Sequence, residues 1–180
     1  MIEGSISRRY SRALFELARE SSQEESIGDE LERFLSILTE SPLGAVLSNP
    51  GFGLDSRKRI LLEVAKSLRL SSLTEHFLAL LLDRDRLTFV PSVVASYRYL
   101  VNQAKGRVEA TVIAAAPLGS TAVERLRESL RRLSGKDVIL QEGADPELIG
   151  GVVVEFEGKI YDGSVRTQLE RMKERIARGS

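Results

Sequence analysis

The chain has 180 residues, room for one domain or two small ones, and its 42% hydrophobic residues suffice to bury a core. Its 26 basic and 26 acidic side chains cancel, which argues against a disordered chain and against a polyanion-binding tail. There is no cysteine, so disulfides, thiolate metal sites and cysteine nucleophiles are excluded. Apolar runs such as Phe77 to Leu82 fall far short of the ~20 residues of a membrane span, and no apolar signal segment opens the chain. The expectation is a soluble, intracellular protein whose link to any membrane runs through a partner.

Helical periodicity comes first. From Ser5 to Arg19, Ile6, Tyr10, Ala13, Leu14 and Leu17 form an apolar stripe that Phe15 and Ala18 widen. A second helix, Ser26 to Glu40, carries Ile27, Leu31, Phe34, Leu35 and Leu38. Pro42 suits the first turn of a short third helix through Leu47, which Asn49-Pro50-Gly51 stops. Asp55 is the expected N-cap of a fourth helix with Ile60, Leu61, Val64, Ala65 and Leu68. Ser72 and Glu75 have capping-box spacing for a fifth, through about Asp85. Pro91 opens a sixth that runs to Gln103. Six helices with short loops and one compatible apolar face each predict an all-α six-helix bundle over residues 1–105.

The period changes at Lys105-Gly106-Arg107, the expected boundary. Val108 to Ala115 reads as a strand ended by Pro117, and Thr121 with Glu124 offers a capping box. Val123, Leu126, Leu130 and Leu133 give the next helix a narrow stripe, closed by Ser134-Gly135; Val138 to Leu140 is a second strand. Then comes Asp145-Pro146-Glu147-Leu148-Ile149-Gly150-Gly151, a turn whose glycines permit a positive φ or a close backbone approach. Val152 to Phe156 is a strand, Glu157-Gly158 a reversal into a short return strand, and Asp162-Gly163-Ser164 punctuates before a helix with Val165, Leu169, Met172 and Ile176. Residues 106–180 thus predict a small α+β module of order β-α-β-β-α.

Chemistry is hard to find. The glycine pair precedes its strand, whereas a phosphate cradle needs glycines between a strand and a helix. Where strand does lead to helix, Asp162 would repel an anion. His76 is the single histidine and has no metal-ligating or catalytic partner in pattern. Tyr97 and Tyr99 flank Arg98 but point about 200° apart on a helix, so they make no base-stacking platform. A small enzyme or a nucleic-acid adaptor therefore has little to rest on. What stands out is the fifth helix, where Leu73, Phe77, Leu78, Leu80, Leu81 and Leu82 cover roughly 200°, against the ~100° a surface helix buries. Such a helix is either core on two sides or part of a groove for another chain, and periodicity leaves both open.

The segment Ile6-Ser7-Arg8-Arg9-Tyr10-Ser11-Arg12-Ala13-Leu14-Phe15-Glu16-Leu17-Ala18 resembles the opening helix of the δ subunits of rotary F-type ATP synthases, the oligomycin-sensitivity-conferring proteins of mitochondria. The family has a Tyr-Ala-x-Ala-Leu core there; Ser11-Arg12 stands between Tyr10 and Ala13 in this chain. Asn49-Pro50-Gly51-Phe52 resembles the family's break before its fourth helix, and Asp85-Arg86-Leu87 its exit from the fifth. The most specific match runs from Asp145 to Val152 and through Asp162-Gly163-Ser164-Val165 to Gln168-Leu169; Ala144 is smaller than the aliphatic residue usual at that place. Asp145, Gly150, Gly151, Asp162 and Gly163 are the structural-turn residues of that match.

The resemblance implies a non-catalytic stator subunit without cofactor or metal. Its helical domain would grip the amphipathic N-terminal helix of an α subunit, and its α+β module would hold the b subunits of the peripheral stalk. The head then stays still against rotor torque during proton-driven ATP synthesis. Carried across by position, Tyr10, Ala13, Leu14 and Leu17 face Phe77, Leu80, Leu81 and Arg84 as groove residues, some of which must be inward core. The resemblance further implies a monomer, one copy per complex. It would lie on the cytoplasmic face of a bacterial cell membrane, touch the membrane only through the complex and bind no nucleic acid.

Overall fold

The computed structural model describes residues 2–146 and 148–177; Glu147, within the 145–152 match, lies outside the described residues. The chain divides into two compact units, Met1–Val101 and Asn102–Ser180. In the first, α1 (Ile2–Glu20), α2 (Glu24–Glu40), α3 (Leu43–Ser48), α4 (Leu54–Ser67), α5 (Ser72–Asp83) and α6 (Val90–Ala104) follow one another, with a 3₁₀ turn at Leu87–Phe89. They share one core, in which Leu14, Ile27, Leu31, Phe34, Leu47, Leu61, Leu78, Leu81, Val93 and Tyr97 are all buried. Each such large side chain stabilises the fold by ~1.5–3 kcal/mol.

The inward edge of α1 is not the stripe its hydrophobic residues suggest. Ser7, Ser11, Leu14, Phe15 and Ala18 are buried, whereas Ala13 and Leu17 are exposed and Ile6 and Tyr10 half-buried. Ser11 supplies the physical reason: its Oγ lies 2.8 Å from Ser96 Oγ on α6 and 3.2 Å from the Arg8 carbonyl, so a small, satisfied hydroxyl takes a core position.

Three helix starts also differ from the sequence reading. Gly53, not Asp55, is the N-cap of α4, and Asp55 sits in the first turn, where its charge still favours the helix dipole. At α5 the cap is Ser71 rather than Ser72, with its Oγ accepting from Thr74 N at 3.3 Å. That cap is buttressed from α2: Glu30 Oε2, buried, accepts from Ser71 N at 3.0 Å, Ser71 Oγ at 2.8 Å and Thr74 Oγ1 at 2.5 Å. A carboxylate forty residues away outcompetes the local box. In the second unit, Gly119 precedes α7 (Ser120–Ser134) with no side-chain cap, so Thr121 is already helical.

The second unit holds a four-stranded sheet of β1 (Arg107–Ala114), β2 (Asp137–Ala144), β3 (Val152–Phe156) and β4 (Lys159–Asp162), with α7 between β1 and β2 and α8 (Val165–Ala177) last. The order is β2-β1-β3-β4, with β1 parallel to β2 and antiparallel to β3, and β3 antiparallel to β4. The module is thus β-α-β-β-β-α: the expected short return strand, Lys159–Asp162, pairs as a full ladder strand, which the order β-α-β-β-α leaves uncounted. Glu157 and Gly158, with φ of 49° and 74°, make the two-residue turn that suits a twisted hairpin. Ala110, Val112 and Ala114 alternate inward along the central strand and join Leu130, Val138, Val154 and Phe156 inside, so burial overrides the poor strand propensity of alanine.

Candidate functional site

The residues carried over to α1 and α5 sort into two layers. Leu14 and Leu81 are core, 1% and 0% exposed, so neither is a surface groove residue. Phe77 is buried beside them, and Tyr10 packs on it edge-on with ring centroids 6.3 Å apart. Leu17 and Leu80 are 50% and 44% exposed, and Ala13 and Arg84 are exposed too. Helical spacing explains the split: Tyr10, Ala13 and Leu17 recur at i, i+3 and i+7, as do Phe77, Leu80 and Arg84, while Leu14 and Leu81 sit one position round toward the core. The outcome is an aromatic contact at Tyr10 and Phe77 with exposed aliphatic residues on each helix.

Arg86 was not singled out by its residue type, and it belongs to this surface. Its Nη1 donates to Tyr10 Oη at 2.8 Å, and its guanidinium carbon lies 5.5 Å from the Tyr10 ring centre. Nothing local in the sequence joins residues so far apart along the chain. Two hollows of this unit lie elsewhere: a cavity of about 130 Å³ lined by Leu47, Leu82, Asp85 and Leu87, and a wide-open one of about 400 Å³ along Ile60 and Val64 of α4. His76 is exposed on α5.

The turn residues of the second unit form a backbone clasp. Gly151 has φ of 81°, and a Cβ there would lie 2.4 Å from the Gly163 carbonyl oxygen and 2.9 Å from Ser164 Cα. Gly163 N donates to the Val152 carbonyl at 3.0 Å and Val165 N to the Gly150 carbonyl at 2.9 Å, so the entry to β3 and the exit from β4 are tied together. Asp145 N reaches back to the Ala114 carbonyl at 2.9 Å, extending the β1–β2 edge. Asp162 accepts from Ser164 N at 2.8 Å and Thr167 Oγ1 at 2.7 Å, and Ser164 Oγ accepts from Thr167 N, which together start α8. These bonds, that from the Ser164 backbone foremost, hold the Asp162 carboxyl below the usual aspartate range. The clasp thus joins the entry to β3 to the start of α8. On that helix Leu169 and Met172 are exposed and Ile176 is 82% exposed; the apolar stripe is unpartnered among the described residues. Among those residues no helix is long and apolar enough to cross a membrane.

Comparison with known proteins places the chain. Residues 6–176 match the family described as ATP synthase delta (OSCP) subunit. The ATP synthase subunit delta of Geobacter sp. (strain M21) is 38% identical over 180 residues, covering 99% of this chain and 100% of that protein. That of Anaeromyxobacter dehalogenans (strain 2CP-C) is 40% identical over 177 residues, 98% of this chain and 99% of the relative. A chain of the Toxoplasma gondii mitochondrial ATP synthase hexamer superposes with a TM-score of 0.75 at 18% identity over 98% of both chains, a likeness of fold. With a family match over residues 6–176 and full-length relatives at this identity, the chain belongs to the ATP synthase delta (OSCP) subunit family, non-catalytic stator components of the F-type ATP synthase.

Proposed function

We propose that this chain ties the catalytic head of an F-type ATP synthase to its peripheral stalk through two separate surfaces. The first unit, as the six-helix bundle of the family, receives the amphipathic N-terminal helix of an α subunit along α1 and α5. The second holds b subunits, with the stripe Leu169, Met172 and Ile176 of α8 as its contact. The observation that carries the reading is the layering of α1 and α5: Leu17 and Leu80 stand exposed at helical spacing while Leu14 and Leu81 alongside them already satisfy the core. A partner helix that buries a large apolar side chain gains ~1.5–3 kcal/mol from each. Nanomolar holding requires about −12 kcal/mol net, so several anchors act together once association costs are met. One copy per complex, on the cytoplasmic face of a bacterial membrane, fits a tether that needs no membrane contact of its own.

The test is simultaneous capture. Immobilised full-length chain is exposed to purified α subunit and to the soluble part of b, separately and together. Binding of both at once, without competition, is expected. Competition between them, or failure to retain either, overturns the proposal.

A further inference from the structure

We infer that the α1–α5 face is built for a helix that carries a carboxylate beside its apolar stripe, and that Arg86 receives that carboxylate. The inference rests on the docking reading above and adds the chemistry of the partner. Arg86, half-buried after the end of α5, is held in place by neutral groups alone: Tyr10 Oη accepts one of its N–H groups at 2.8 Å, and the Tyr10 ring lies under its guanidinium. Among the described residues no carboxylate pairs with it, nor with Arg84 two positions earlier.

The other sequestered arginines of this unit are different. Arg57 pairs with Asp85 at 3.1 Å, and Arg98 with Glu25, Asp29 and Glu32. A guanidinium has five donors in a fixed fork, and Tyr10 takes one, which leaves an edge free for bidentate binding. A helix laid over Tyr10, Leu17 and Leu80 would strip water from Arg86, and covering an unpaired charge is costly unless the incomer supplies an acceptor. Leu17 and Leu80 select an amphipathic helix over a lipid headgroup or a nucleic acid, which would match the charge but leave the aliphatic groups unmatched.

The experiment is a calorimetric titration of the full-length chain with two peptides of the α subunit's N-terminal segment. One is native; in the other every Asp and Glu is replaced by Asn or Gln. The native peptide should bind about tenfold or more tightly than the amide version and weaken as salt rises. Arg86→Met should lose that preference, so that the two changes together cost no more than either alone, and Arg86→Lys should restore part of it. Should Arg86→Met fail to fold, Tyr10→Phe, which frees the guanidinium but keeps the ring, should blunt the preference. Equal binding of both peptides, or losses that add, overturns this inference while leaving the docking reading intact. No binding of either peptide overturns both. Displacement of the peptide by anionic phosphatidylglycerol vesicles, or by self-association of the chain, assigns the face to another occupant and overturns it as well.

Discussion

The guanidinium of Arg98 on α6 lies over Gly28 of α2, so close that a Cβ at residue 28 would stand 2.7 Å from its Nη1. The bare backbone lets Arg98 reach Glu25 at 3.3 Å, Glu32 at 2.5 Å and Asp29. Hydrogen bonding to Glu32, then to Asp29, keeps it protonated more firmly than an ordinary arginine, partly opposed by burial. Propensity alone says Gly28→Ala should stabilise a helix interior by ~0.5–1 kcal/mol. Displacing the clamp offsets that gain, so Gly28→Ala should show no net stabilisation. Because its carboxylates are partly exposed, losing the clamp in Arg98→Ala should cost roughly 2 kcal/mol at low salt and less at high salt. Urea unfolding of the two variants and their double mutant checks this; a full propensity gain for Gly28→Ala would contradict it.

Glu30 is a buried cap supplied from another helix. Glu30→Ala leaves Ser71 N, Ser71 Oγ and Thr74 Oγ1 without their shared acceptor, and the expected cost is ~2–3 kcal/mol. Glu30→Gln keeps one acceptor oxygen and should cost less. Hydrogen exchange should locate the loss in the first turn of α5.

Gly151 tolerates no side chain. Gly151→Ala combines a left-handed φ with a contact to the Gly163 carbonyl, and should destabilise the second unit by ~2–4 kcal/mol. Gly158→Ala, also left-handed but open to solvent, separates the two effects and should cost only ~1 kcal/mol. Equal costs would show that the clasp is not tight.

Tyr97 links stability to alkali. Its hydroxyl donates to the Glu24 carbonyl at 3.0 Å inside the core, and burial first, then the Glu24 carboxylate, raises its pKa well above the ordinary 10.0. The neutral form is therefore favoured in the fold. Its contribution is complete below pH 10 and is lost as pH climbs beyond it, where the unfolded chain ionises first. Tyr97→Phe should cost about 1 kcal/mol near neutrality and flatten the decline above pH 10. An unchanged alkaline slope would contradict the assignment.

Much of the fold was legible because its signals are local. The breaks at Asn49-Pro50-Gly51 and Ser134-Gly135, the start at Pro91 and the reversal at Glu157-Gly158 are written in a few adjacent residues. Tyr97 and Tyr99, placed on opposite sides by helix geometry, are respectively buried and exposed. The failures share a different cause. Ser11 occupies the core edge of α1 because α6 supplies Ser96 as a partner, and Ser71 caps α5 because Glu30 arrives from α2. No window along the chain contains those pairs. The candidate surface was half legible for the same reason: spacing gathers Tyr10, Ala13, Leu14 and Leu17, but only the packed fold separates Leu14 from Leu17, and only the fold brings Arg86 to Tyr10.

The most direct measurement is the affinity of the full-length chain for the α subunit's N-terminal peptide, with Leu17→Asp and Leu80→Asp beside the parent. Both positions are exposed, so both variants should keep the parent's unfolding free energy to within about 0.5 kcal/mol. Leu14→Asp and Leu81→Asp, in the core, should instead unfold the first unit. Each surface variant should weaken peptide binding by roughly tenfold or more, the loss of one buried large side chain. Undiminished binding in folded Leu17→Asp and Leu80→Asp would contradict the claim that α1 and α5 form the docking face.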